Sequence, residues 1–89
     1  MAFSNKVLIV TGGAVSDQLV MGEVPSGTIN GTNKIFTVAN DVFGNAIDVF
    51  LNGLCQKRTD DYTFTSPITI TFDTAPPENS NILTDYIKA

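Results

Sequence analysis

From residue 29 onward apolar and polar positions alternate in short runs, each closed by a turn-forming group. Side chains on a strand point to opposite faces with a period of two, so each run can be assigned an inner and an outer face. Residues 34–39 predict a strand with Phe36 and Val38 on one face and Ile35 and Thr37 on the other. Residues 40–45, Asn-Asp-Val-Phe-Gly-Asn, read as a loop, and residues 46–51 as a strand with Ile47, Val49 and Leu51 facing one way. Asn52-Gly53 then stands between two strand-like runs. Both residues tolerate the positive φ angles of a type I′ turn, so residues 54–57 should fold back on 49–51. Thr59-Asp60-Asp61 forms a polar corner, residues 62–65 a strand, and Ser66-Pro67 a turn. Ile68, Ile70 and Phe72 alternate with Thr69 and Thr71, which places the apolar three inward and the threonines outward. After the stiff Ala75-Pro76-Pro77 loop, residues 82–87 make the closing strand.

That last strand breaks the alternation. Ile82 and Tyr86 share one face, but Leu83 and Ile87 lie on the other. A half-exposed antiparallel strand is normally polar on its outer side. Either Leu83 and Ile87 pack under a loop at the strand end, or they meet a neighbouring chain.

Residues 1–24 differ in character. Val7, Leu8, Ile9 and Val10 form a β-prone run, Thr11-Gly12-Gly13 breaks it, and Leu19-Val20-Met21 is a second short apolar run ended by Gly22. This segment is either an extended arm carrying one or two strands or the source of the first strands of the main sheet. In both cases an exposed run such as 7–10 is an aggregation liability unless it is paired. We therefore take Val7, Leu8, Ile9 and Val10, with Leu83 and Ile87, as candidate assembly contacts. No segment shows sustained helical periodicity. The expectation is an all-β chain: residues 25–89 form a small antiparallel β-sandwich or barrel, preceded by a 1–24 arm or first strands.

Composition narrows the function. The chain of 89 residues suits one domain with a modest core, which commonly needs a supplement such as oligomerisation. It contains one cysteine, Cys55, and no histidine, so an intrachain disulfide and histidine-based zinc sites are ruled out. Cys55 has no histidine base to activate it as a nucleophile and reads as a small packing residue. The formal net charge is -4 and no basic run exists, which argues against nucleic acid as a direct partner. The 7–10 run is too short to span a membrane and does not resemble a secretory signal.

Two motifs have alternative readings. Val7 to Ala14 superficially resembles the opening of a dinucleotide-binding fold, but the third glycine and a strong following helix are missing. Asp60 and Asp61 with Asp48 or Asp73 could gather around calcium, yet adjacent aspartates in a turn commonly bond to their own backbone. Neither motif predicts a catalytic residue, a cofactor, a metal or a small-molecule substrate.

The order of pieces is more specific than any one of them. Residues 27–37 (Gly-Thr-Ile-Asn-Gly-Thr-Asn-Lys-Ile-Phe-Thr) are followed by Val49-Phe50-Leu51-Asn52-Gly53-Leu54-Cys55-Gln56 and Asp61-Tyr62-Thr63. Ile70-Thr71-Phe72, Ala75-Pro76-Pro77 and Asp85-Tyr86 complete the series. This order resembles a small β-module of tailed-bacteriophage virion proteins, found in tail-fibre, head-fibre and capsid-associated chains. The resemblance covers residues 27–89. It implies a structural role with no active site to carry over, and it makes Phe36, Val49, Tyr62 and Phe72 core positions. A module that stands nearly alone implies a many-copy capsid decoration, or cement, protein. Its partners would be further copies of itself and the major capsid protein or other virion proteins. It would be made in the host cytoplasm and reside in the virion. A neck, tail or fibre-attachment protein is the alternative, and a carbohydrate-binding module a more distant one.

Overall fold

The computed structural model describes residues 18–89, and all seven elements within them are strands. In chain order they are β1 (Leu19–Glu23), β2 (Ile35–Thr37), β3 (Val42–Leu51), β4 (Leu54–Cys55), β5 (Tyr62–Thr65), β6 (Thr69–Phe72) and β7 (Ile82–Lys88). They form two antiparallel sheets, one ordered β1-β7-β3-β4 and the other β2-β6-β5. The fold is thus the all-β antiparallel arrangement that the alternation predicts.

Register explains the core. In the three-stranded sheet, Phe36 pairs with Ile70, Phe64 with Ile70 and Tyr62 with Phe72. In the four-stranded sheet, Ile47 pairs with Tyr86, Val49 with Thr84 and Leu51 with Ile82. These are the inward positions. Phe36, Ile47, Val49, Tyr62, Ile70, Phe72, Ile82 and Tyr86 are all at most 3% exposed. Each such apolar side chain contributes roughly 1.5–3 kcal/mol on burial. Phe36 and Phe72 meet edge to face, with ring centroids 5.6 Å apart, an arrangement that adds to simple area burial. Thr69 and Thr71 lie on the opposite face of β6 from Ile70 and Phe72 and are only partly buried.

The β3–β4 hairpin forms where the turn chemistry predicts. Asn52 and Gly53 have φ of 52° and 84°, and Leu51 pairs with Leu54 and Phe50 with Cys55. Beyond β4, the Gln56 N–H still donates to the Val49 carbonyl at 2.8 Å. The opposite end of the hairpin is also fixed, because Asn52 Oδ1 accepts from the Asn81 N–H at 2.8 Å.

Two elements differ from the expectation. Residues 42–45 are not a loop but the start of β3. Val42 pairs with Lys88 and is buried, and the register then shifts before Ile47 pairs with Tyr86. Gly44, at φ 58°, lets the strand carry this irregularity, and it interrupts the alternation that would have revealed a strand. The second difference is length. The ladder of β2 covers Ile35–Thr37, while the flanking residues bond differently: the Val38 N–H donates to the Ile68 carbonyl and the Phe72 N–H to the Lys34 carbonyl.

Within the 1–24 segment, Leu19–Glu23 is the edge strand β1, paired with β7. Val20 opposes Tyr86 and Glu23 opposes Thr84, so β1 carries one extra residue in this interval. Gly22, at φ 71°, supplies that bulge. The extra residue turns Glu23 to the same face as Val20. There its Oε1 accepts from the Tyr86 hydroxyl at 2.5 Å and its Oε2 from the Ala39 N–H at 2.7 Å. Its main-chain carbonyl accepts from Thr84 Oγ1 at 3.0 Å, which satisfies the hydroxyl of a fully buried threonine. Asn40 Nδ2 donates to the Tyr86 oxygen at 3.1 Å. Glu23 therefore ties β1 to β7 and to the chain leaving β2. Val7, Leu8, Ile9 and Val10 lie outside the described residues.

Candidate assembly surface

The alternation that builds the core also determines what the four-stranded sheet shows on its outer face. β1 and β7 pair so that Leu19 lies opposite Ile87. Next along β7 comes Asp85, opposite Asp48 of β3. Beyond it Leu83 lies opposite Phe50, which in turn lies opposite Cys55 of β4. The face is thus an acidic pair between two apolar rows. Met21, on the outward side of β1, is 70% exposed, Leu19 46% and Ile87 38%.

Leu83 and Ile87, both candidate contacts from the sequence, are brought together on this face, and Ile87 is the more exposed of the two. The alternation alone did not reveal their companions. Leu19 and Met21 belong to a strand more than sixty residues away in sequence, and Asp48 and Asp85 meet only through the β3–β7 register. No local signal encodes such pairings.

A depression of ≈ 370 Å³ lies at the β1 end of this face. Leu19, Met21, Ala46 and Ile87 supply its apolar lining, and Asp48, Asp85 and Arg58 its polar rim. Arg58 is committed to the backbone: its Nη2 donates to the carbonyls of Asn45 and Ile47, the latter at 2.8 Å. Asp85 Oδ1 accepts from the Gly22 N–H at 2.7 Å, capturing an amide that the bulge removes from the ladder.

The other singled-out residues are placed as follows. Cys55 is exposed on the outer face beside Phe50 rather than packed in the core, because β4 is an edge strand of two residues with no layer above it. Asp61 accepts from the Lys57 N–H at 2.8 Å and Asp60 pairs with Lys57 Nζ at 3.1 Å, so both serve the corner they form. Among the described residues no group of three or more histidine, cysteine, aspartate or glutamate side chains is placed to hold a metal ion.

The Tyr86 hydroxyl holds its proton more tightly than a free phenol. Burial raises its pKa above the ordinary value, and the hydrogen bond to Glu23 and that carboxylate's negative charge raise it further. The group acts as a donor inside the fold and faces the core, not the outer surface.

The chain matches no family model, no curated protein and no solved structure.

Proposed function

We propose that this chain is a non-enzymatic structural protein of a tailed-bacteriophage virion, and within that class a capsid decoration protein that binds and stabilises the outer shell. The observation that carries the assembly role is the outer face of the four-stranded sheet, where Leu19, Met21 and Ile87 are exposed beside Leu83 and Phe50. Exposed apolar rows on one sheet face mark a contact surface. The order of strands and turns that resembles virion β-modules supplies the setting. In this reading Val7, Leu8, Ile9 and Val10 add contacts between copies, and Leu83 and Ile87 belong to the surface that meets the shell.

The test is quantitative mass spectrometry of purified particles of the phage that encodes the chain. A copy number comparable with that of the major shell subunit is expected. A far lower number would move the protein to the neck, tail or fibre attachment. Absence from the particle would overturn the structural role altogether.

A further inference from the structure

The acidic pair on the outer face is electrostatically unusual. Asp48 and Asp85 are direct cross-strand partners, and their neighbours Val49 and Thr84 are buried inward, so both carboxylates project outward. Like charges placed directly opposite each other on a sheet destabilise it. Asp85 is partly relieved by the Gly22 N–H. Asp48 makes no side-chain hydrogen bond or salt bridge among the described residues, and Arg58 nearby is held on carbonyls. Arg58 shares the depression with the pair and offsets part of the repulsion, but its guanidinium is held on carbonyls and leaves the exposed Asp48 carboxylate open to a further cation. Along β7 the outward sequence is Ile87, Asp85, Leu83: apolar, acidic, apolar at intervals of two residues.

The geometry points to a docking site for a segment of a different protein that carries a lysine or arginine between two apolar side chains. The cation sits between Asp48 and Asp85, and the apolar pair covers Leu19 and Ile87 on one side and Leu83 and Phe50 on the other. A second copy of this chain does not fit the same face. Two copies face to face would bring four carboxylates together, and like-charge juxtaposition suppresses such pairing. Nor does any of the five cations of the chain have apolar residues two positions away on both sides: Lys6, Lys34, Lys57, Arg58 and Lys88 all lack that pattern. A net charge of -4 further favours a basic partner. This inference rests on the outer face being a contact surface, and it holds whether or not the partner is a capsid shell.

The experiment uses the full chain, labelled with nitrogen-15, and two synthetic probes: the peptides acetyl-Leu-Ser-Lys-Ser-Leu-amide and acetyl-Leu-Ser-Glu-Ser-Leu-amide. Amide shifts on titration with the lysine peptide should map to residues 46–50 and 83–87 and to Leu19. Binding of the glutamate peptide should be weaker by about tenfold or more. Raising the salt from about 20 mM to about 300 mM should weaken the lysine peptide, because exposed charges are screened beyond the shortened Debye length. Asp48→Lys should abolish the preference for the lysine peptide, because the new cation pairs with Asp85 across the strands. Asp48 is exposed and outside the core, so a dispersed spectrum is expected for this variant, and Asp48→Asn serves as a second, milder change. Equal binding of the two peptides, or shifts confined to another face, would overturn the proposal. So would concentration-dependent shifts of the same amides in the protein alone, since these would mean that a second copy occupies the face. None of these outcomes depends on particle composition, so failure here is distinct from failure of the virion reading.

Discussion

Single residues carry two of the clearest consequences. Gly53 sits at φ 84° in the β3–β4 turn, with open space around it, so a substitution there is resisted by backbone conformation rather than by collision. Gly53→Val should destabilise the protein by about 1 kcal/mol or more, measured by chemical denaturation, because a β-branched residue strongly disfavours positive φ. Tyr86 gives a pH signature. Its folded pKa lies above the ordinary value of about 10, so the folded state holds the phenolic proton more tightly than the unfolded chain. That contribution to stability is complete below pH of about 10 and is lost as the pH rises through the folded pKa. Tyr86→Phe, which has no proton to lose, should show a smaller decline in stability over this alkaline range. The comparison is a pair of denaturation series at stepped pH. An equal decline in both proteins would assign the effect elsewhere.

At the scale of elements, what could be read from the sequence follows the physics of locality. The turn at Asn52-Gly53, the strand Tyr62–Thr65 and the inward set Ile70 and Phe72 were legible because alternation and turn chemistry act between near neighbours. The start of β3 was hidden because Gly44 and the register shift there break the period-two pattern. The pairing of β1 with β7 was not legible at all: it joins Leu19 to Ile87, and Gly22 then reverses which face Glu23 presents. The candidate surface inherits this limit, since Leu83 and Ile87 were visible as a local anomaly but the placement of Asp48, Leu19 and Met21 beside them was not. The structure makes β1 a separable test. A chain beginning at residue 18 retains every core residue described and should unfold cooperatively. A chain beginning at residue 24 lacks Val20 and the Glu23 carboxylate, which accepts from Tyr86 and Ala39. It should lose about 2 kcal/mol or more, given the strength of hydrogen bonds to charged groups. Equal stability of the two truncations would show that β1 is dispensable.

For the whole molecule, the two sheets expose unequal surfaces. The three-stranded sheet shows Ile35 and the threonines of β5 and β6 outward, with Ser26 bonded to Thr37 along the outer edge of β2. The four-stranded sheet shows its apolar rows and paired carboxylates. Two such different sides give the molecule a built-in polarity, consistent with the contact surface proposed for the four-stranded sheet. The bulge at Gly22 adds a further consequence. β1 is an edge of its sheet, and an unbroken edge is a template on which stray chains can extend into fibrils. The extra residue disrupts the regular spacing of donors and acceptors, and the Asp85 carboxylate occupies the amide that the disruption frees. The kink that sends Glu23 inward thus also interrupts the regular edge on which further strands could add, a built-in guard against edge-to-edge growth of the sheet.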